Sequence, residues 1–128
     1  MKKLIQILIV LVGFGVTAQQ TTQTNKFVVL TPKVEQLKPI LLAADKLTEK
    51  EDFQIVLYGQ NVTDILKAEM EEYIRWAQKS EVNLAVCKMS LNKLQIDPAS
   101  LPKELEVVDN AFLTAFQLQK AGYILLNL

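Results

Sequence analysis

A single cysteine, Cys87, is the strongest candidate for covalent chemistry in this 128-residue chain. A thiolate is a good nucleophile that can accept a sulfur atom or form a mixed disulfide. The sequence contains no histidine, which excludes Ser-His-Asp triads, Cys-His dyads and histidine metal sites within the chain. One cysteine among scattered carboxylates gives no zinc-ligand spacing, and the four glycines form no phosphate-binding loop. We therefore expect no metal and no cofactor, and any reaction should depend on Cys87.

The residues that follow Cys87 favour an ionised thiol. Cys87 ends a short apolar run, residues 84–87, which predicts a strand, and residues 88–94 can begin a helix directly after it. The N-terminus of a helix carries partial positive charge and free N–H groups that stabilise a thiolate. Lys88 adds a positive charge if it points the same way, and Ser90 can donate a hydrogen bond to the sulfur or cap the helix. The sequence predicts Cys87 as the reactive residue, supported by Lys88 and Ser90.

A buried and inert cysteine is the alternative interpretation of the same residue. Free cysteine is among the most buried residue types and often packs as a small hydrophobic side chain. The chain would then be a non-catalytic binding or scaffold domain. A binder of small molecules at the strand ends is a third hypothesis, less favoured because few polar groups converge there. The residue pattern leaves the reactive and the inert interpretation open.

Apolar runs alternate with helical patterns along the chain. Continuous apolar runs predict five short strands, at residues 27–30, 53–58, 84–87, 106–108 and 123–126. Apolar residues three and four positions apart predict three long helices, at residues 37–47, 62–77 and 111–118. Asn61 or Thr63 is expected to cap the second helix, and Asp109 or Asn110 the third. Gly122 is expected to end the last helix in a left-handed conformation.

Strands that alternate with helices through short connections indicate parallel pairing. We predict a single α/β domain whose mostly parallel five-stranded sheet carries helices on both faces, as in flavodoxin-like proteins. About 100 residues suffice for one hydrophobic core and not for two. The apolar pattern does not fix the order of the strands.

Three segments resemble the DsrE/DsrF-like family of small α/β proteins, which is known for sulfur relay. Residues 56–59 (VLYG) resemble its second strand and the glycine after it, and residues 85–91 (AVCKMSL) the end of its third strand, where the sulfur-carrying cysteine sits. Residues 118–123 (LQKAGY) resemble its last turn from helix to strand. The resemblance covers residues 26–128. It implies a persulfide carrier or thiol-redox accessory protein that acts through Cys87, a sulfur donor or acceptor protein as partner, and a homo-oligomer.

The chain departs from this family after the second strand. Many members have His-Gly at that point, whereas this sequence has Tyr58-Gly59. A histidine that would move protons near Cys87 is therefore missing. No general base is recognisable in the sequence, so a carrier is favoured over an enzyme that turns over a substrate.

The N-terminus is typical of a secretory signal peptide. Lys2 and Lys3 give it a positive start, residues 4–16 form an apolar stretch, and small or modest residues at positions 16 and 18 predict cleavage before Gln19. An apolar stretch of this length is too short to span the hydrocarbon core of a bilayer. We expect a bacterial protein of the periplasm or the exterior, without a stable membrane anchor once the peptide is removed.

Removal of residues 1–18 would leave a flexible lead-in, residues 19–25, and one domain, residues 26–128. The whole chain has 14 basic and 14 acidic residues. Because Lys2 and Lys3 would leave with the signal peptide, the mature domain is slightly acidic. It therefore lacks the positive charge that nucleic-acid binding requires, and we expect no nucleic-acid partner.

Overall fold

In a computed structural model, which describes residues 25–128 together with Gly13 and Gly15, the chain forms one parallel β-sheet. Its five strands are β1 Lys26–Thr31, β2 Asp52–Leu57, β3 Asn83–Cys87, β4 Glu106–Val108 and β5 Ile124–Asn127. All neighbouring pairs are parallel, in the order β4-β3-β2-β1-β5. The predicted five-stranded parallel sheet is confirmed. The predicted signal peptide lies outside the described residues, apart from the two glycines.

Helices lie between the strands throughout the described part of the chain. The α-helices are α1 Leu37–Lys46, α2 Glu69–Lys79, α3 Lys88–Lys93 and α4 Ala111–Lys120. Short 3-10 helices form at Val34–Gln36, Gln60–Leu66 and Pro98–Ser100. None of the described helices is long and apolar enough to cross a membrane.

The helices cover both faces of the sheet, as the sequence predicts. Buried side chains of α1, α2 and α3 pack against one face, and Ala111 and Ala115 of α4 pack against the other. Since successive side chains of a strand point to opposite faces, the inner strands are buried on both sides and read as continuous apolar runs. In β3, for example, Leu84 and Val86 join the first cluster, whereas Ala85 and Cys87 join the second.

The second predicted helix is wrong in one respect. Instead of one helix over residues 62–77, the chain forms a 3-10 helix, Gln60–Leu66, and then α2. Both segments bury apolar side chains against the same core, so the spacing of those residues continues across the break. Asn61 and Thr63 consequently do not cap α2, whose N-cap residue is Ala68 and has no side-chain cap.

The boundaries of α4 agree with the prediction. The Asn110 side chain accepts hydrogen bonds from the backbone N–H groups of Phe112 and Leu113, at 3.0 and 3.3 Å. At the other end Gly122 has a φ of +97°, the positive value expected for the residue that ends the helix. Two of its predicted apolar residues, Phe112 and Phe116, are nevertheless exposed.

Candidate functional site

A cleft opens at the carboxyl ends of β3 and β4. The chain leaves β3 into α3, which packs on one face of the sheet, and leaves the neighbouring β4 into α4, which packs on the other. Where neighbouring strands send their connections to opposite faces, a crevice forms beyond their carboxyl ends, and parallel sheets bind ligands there. The cleft holds about 300 Å³ and is lined by Tyr58, Gly59, Cys87, Met89, Ser90, Lys93, Asn110, Ala111 and Phe112.

Cys87 is the last residue of β3, and its side chain lies on the α4 face of the sheet. Only 5% of the residue is exposed, yet it is part of the cleft lining. The thiol is therefore neither at an open rim nor sealed within the core. It is a buried sulfur with a cleft beside it, so a reagent must enter the cleft to reach it.

The N-terminus of α4 supplies the first hydrogen-bond donor to the sulfur. The backbone N–H of Ala111 donates to Cys87 Sγ, with 3.4 Å between nitrogen and sulfur. Ala111 is the first residue of this ten-residue helix, so its amide has no acceptor inside the helix. Because the Asn110 side chain accepts from the next two amides, the Ala111 N–H remains directed at Cys87.

Ser90 also lines the cleft, where it is held by a contact with the turn that follows β2. Ser90 Oγ accepts a hydrogen bond from the Gly59 N–H at 2.8 Å. A hydroxyl that accepts one bond still has its proton to donate, and the Ser90 hydroxyl is one of the groups that lower the pKa of Cys87. The backbone amides of Ser90 and Met89, in the first turn of α3, also act to lower the pKa of Cys87.

These surroundings shift the pKa of the thiol. Burial disfavours the thiolate and by itself raises the pKa of Cys87. The hydrogen bonds from the Ala111 amide, from the amide and hydroxyl of Ser90 and from the Met89 amide outweigh it, so that the pKa of Cys87 lies below its usual value. The arrangement can thus present an ionised nucleophile to whatever enters the cleft.

The two predicted supporting residues, Lys88 and Ser90, lie in different positions relative to the cleft. Ser90 lines the cleft beside Cys87 and is among the groups that lower the pKa of the thiol. Lys88 is exposed at the start of α3 and is not part of the cleft lining, whereas Lys93, at the end of the same helix, is. The largest influences on the pKa of Cys87 are burial and hydrogen bonds, and no lysine is among them.

Tyr58 forms one wall of the cleft. Its hydroxyl donates to Asn127 Oδ1 at 3.2 Å, at the far side of β1, and so is directed away from Cys87. The ring packs against Phe112, with 5.2 Å between ring centroids. With Met89, which is 60% exposed, these rings give the cleft an apolar mouth.

Sequence reasoning missed Gly59, Ala111 and Lys93 as members of the site. Gly59 and Ser90 are 31 residues apart, and their contact depends on β2 and β3 being neighbours. The sequence does contain a pattern that indicates the position of Ala111. Asn110 is a recognisable helix cap, and the carboxyl ends of parallel strands lie at one edge of a sheet. Only the strand order brings this cap next to Cys87.

A larger depression lies elsewhere, between α1 and α2, with a volume of about 570 Å³. Three of its polar groups are paired with one another: Asp45 accepts hydrogen bonds from the Ser80 hydroxyl and, at 2.8 Å, from Trp76 Nε1. These two bonds hold the pKa of the Asp45 carboxyl below its usual value. Among residues 25–128 no group of three His, Cys, Asp or Glu side chains is placed to hold a metal ion. The cleft at Cys87 is the better candidate site because it contains a nucleophile.

The fold defines a small single-domain α/β protein with a five-stranded parallel sheet. The chain belongs to the DsrE/DsrF-like family, whose sequence model matches residues 31–128. The predicted membership is thereby confirmed.

Two solved structures show the same fold. MTH1491 from Methanobacterium thermoautotrophicum, a protein of unknown function, superposes with a TM-score of 0.66 at 15% identity, over 80% of this chain and 96% of its own. BT1422 from Bacteroides thetaiotaomicron, also of unknown function, gives a TM-score of 0.65 at 13% identity, over 81% of this chain and 95% of its own. No curated protein matches the chain in sequence. At such low identities these likenesses establish the fold alone.

Proposed function

We propose that this protein is an exported sulfur carrier that holds a transferable sulfur atom as a persulfide on Cys87. The observation that carries the proposal is the Cys87 thiol, whose pKa is lowered and which faces an open cleft at the ends of β3 and β4. Membership of the DsrE/DsrF-like family supports it, because the cysteine stands at the end of the third strand, where the family's sulfur-carrying cysteine sits.

The transfer needs no outside oxidant. The Cys87 thiolate attacks the terminal sulfur of a donor persulfide, R–S–SH; the new S–S bond forms on Cys87 as the old one breaks, and R–S⁻ leaves and takes up a proton. The transferred sulfur keeps its oxidation state. In the second half an acceptor thiolate attacks the terminal sulfur, and the Cys87 thiolate returns. The same hydrogen bonds from Ala111 and Ser90 stabilise the thiolate before attack and as the leaving group.

The burial of Cys87 suits a carrier outside the cytoplasm. An exposed thiol in an oxidising compartment is readily converted to a disulfide or to higher oxidation states. Here Cys87 is 5% exposed behind an apolar mouth, so bulky thiols reach its sulfur only through the cleft. The cleft volume of about 300 Å³ leaves room for an added sulfur atom and the end of a donor.

Export is the part of the proposal that depends on the N-terminus. The basic start, the apolar stretch and the small residue at position 18 support cleavage before Gln19 in a bacterial host. N-terminal sequencing of the protein recovered from the periplasm checks this. A first residue of Gln19 is expected, and a chain that still begins at Met1 would contradict it.

A non-catalytic binding or scaffold domain is the second candidate function. The low exposure of Cys87, and its packing in one cluster with Val56 and Ala85, favour it. In that case the sulfur would be a core atom, and the cleft would have no role in chemistry.

Persulfide formation on the native protein distinguishes the two candidates. The purified protein is incubated with a low-molecular-weight persulfide and separated from excess reagent, and its mass is measured by mass spectrometry. Cys87→Ser, treated in the same way, is the control. We expect native protein to gain the mass of one sulfur atom, and a thiol reductant to remove it as sulfide. Cys87→Ser should gain nothing. A gain that occurs only after denaturant is added would refute the carrier proposal and favour the scaffold.

A further inference from the structure

Lys93 is the one charged residue that lines the cleft at Cys87. It is the last residue of α3, it is exposed, and the ion pairs among residues 25–128 do not include it. No acidic residue is part of the cleft lining, since Asp109, which precedes Asn110 in the sequence, lies outside it. A ligand that enters the cleft therefore meets one ammonium group and no carboxylate of the protein.

The spacing along α3 places Lys93 further from the sulfur than Ser90, on the same side of the helix. Residues three positions apart are neighbours on a helix surface, so Ser90 and Lys93 line the cleft together. At about 1.5 Å per residue, Lys93 lies roughly 9 Å from Cys87 along the helix axis, and its flexible four-carbon stem lets the ammonium move towards the mouth. The cleft thus has a buried sulfur at its inner end and a movable positive charge further out.

Asn110 adds a second hydrogen-bond donor to the cleft lining. Its Oδ1 is occupied, because it accepts from the amides of Phe112 and Leu113 at 3.0 and 3.3 Å. The NH2 group of the same side chain donates to no acceptor within residues 25–128. An ammonium and an amide NH2 are donors to which a carboxylate oxygen bonds well. The cleft therefore offers hydrogen bonds to an anion beside the nucleophile.

We propose that Lys93 selects sulfur donors that carry a negative charge close to the persulfide, such as a small persulfide whose carboxylate is separated from its sulfur pair by two carbons. This inference rests on the sulfur-carrier proposal and names the class of donor that the cleft accepts. The Cys87 thiolate attacks the terminal sulfur of ⁻OOC–R–S–SH; the donor S–S bond breaks as the new one forms, and ⁻OOC–R–S⁻ leaves and takes a proton from water. Lys93 pairs with the donor carboxylate throughout, and the Asn110 NH2 group donates to it.

Repulsion between like charges is the difficulty that Lys93 removes. A thiolate and an anionic donor repel each other, and the reaction places a further negative charge on the leaving group. In a cleft with apolar walls this repulsion is screened less than in open water. One ammonium near the mouth offsets it, whereas a neutral donor of the same shape gains nothing from the charge. Loss of Lys93 should therefore slow the anionic donor relative to the neutral one.

Two pairs of reagents, matched in shape and different in charge, test the inference by mass spectrometry. The first pair is the persulfides of 3-mercaptopropionic acid and of its amide, which measure sulfur transfer. The second pair is iodoacetate and iodoacetamide, which alkylate Cys87 and require no persulfide. For each pair the rate with the anion is divided by the rate with the neutral reagent, so that any change in the ionisation of Cys87 cancels. We expect both ratios to be about threefold higher in native than in denatured protein.

Variants of Lys93 assign the effect to this residue. Lys93→Gln should lower both ratios about threefold, Lys93→Glu should lower them further, and Lys93→Arg should keep them. Lys120→Gln is the matched control: it removes the same charge from the end of α4, outside the cleft lining, and should keep both ratios.

The two pairs of reagents separate a failure of this inference from a failure of the sulfur-carrier proposal. Persulfide that forms from both donors with the same ratio in wild type and Lys93→Gln would overturn the inference and leave the carrier proposal standing. An alkylation ratio that depends on Lys93, together with no persulfide from either donor, would refute the carrier proposal and the donor class with it. Native protein that neither pair of reagents modifies would overturn both.

Discussion

The behaviour of Cys87 depends on a balance between two opposed effects on one sulfur atom. Burial raises the pKa of the thiol, whereas amide and hydroxyl donors from α3 and α4 lower it by more. Ser90 contributes the one side chain within this set: its hydroxyl lowers the pKa of Cys87 and accepts a hydrogen bond from the Gly59 N–H. The sequence predicts Ser90 as a donor from its position three residues after the cysteine. It does not predict Ala111, whose amide comes from a helix that begins 24 residues later.

Ser90→Ala tests this balance at the scale of one residue. The pKa of Cys87 should rise because a donor to the thiolate is lost, and stability should fall by about 1–3 kcal/mol because the part-buried Gly59 N–H loses its acceptor. Ultraviolet absorbance of the thiolate across a pH series gives the pKa, and urea unfolding gives the stability. Ser90→Thr keeps a hydroxyl and should restore both in large part. Ser100→Ala, at an exposed serine that bonds only to Asp97, should leave the Cys87 titration unchanged; an identical titration in Ser90→Ala would contradict the assignment.

For the helices, the spacing of apolar residues predicts which side chains are buried better than it predicts the backbone hydrogen-bonding pattern. The spacing from Val62 to Ala77 indicates one helix because both the 3-10 helix Gln60–Leu66 and α2 face the same core. In the same way Phe112 and Phe116 follow the helical pattern of α4 but lie on its exposed side, since Ala111 and Ala115 face the sheet. Periodicity could not separate core from surface there, because both sides of the helix carry apolar residues.

The substitution Gly59→Ala tests the role of the turn that connects β2 to the cleft. Its φ of +88° and ψ of −170° lie in a region that is open essentially to glycine alone. A Cβ at this position would meet only Pro32, at 3.8 Å, so Gly59→Ala should cost about 1–3 kcal/mol from the backbone alone.

Gly122→Ala is the matched control for Gly59→Ala. Gly122 also has a positive φ, +97°, and open space for a Cβ, but it lies at the end of α4 that is remote from the cleft. Thermal unfolding should show both variants destabilised. Only Gly59→Ala should change the rate at which Cys87 reacts with a thiol reagent, because the Gly59 amide positions Ser90. Equal reactivity in the two variants would show that this turn does not position the site.

For the whole molecule, the sequence predicts the class of fold and the position of the cysteine at a strand end, but not the cleft. Alternation of strands and helices is sufficient for a parallel sheet with two helical layers. The cleft depends on β3 and β4 being neighbours whose connections lie on opposite faces, and on α4 returning the chain to place β5 beside β1. These are long-range pairings, on which the periodicity of local residues carries no information.

A lowered pKa in the folded state makes stability depend on pH. The pKa of Cys87 in the folded protein lies below its ordinary value, so the folded state releases this proton at a lower pH than the unfolded chain. The stabilising contribution of the thiolate is complete above the pKa of the unfolded chain and is lost as pH falls through the native pKa. The free energy of unfolding of wild type minus that of Cys87→Ala should therefore be larger at alkaline than at acidic pH. The cavity that the substitution leaves does not depend on pH and cancels, so a difference that is constant or falls with pH would contradict the linkage.

The rate of alkylation of the native protein across pH tests the central claim most directly, since Cys87 is the only thiol in the chain. Brief exposure to iodoacetamide, followed by mass spectrometry, gives the rate at each pH. We predict that native protein reacts without denaturant, with a midpoint below the value of about 8.5 that unfolded protein should show. A thiol that reacts only after denaturant is added, or a native midpoint at or above the unfolded one, would contradict the account of Cys87 as an accessible and partly ionised sulfur carrier.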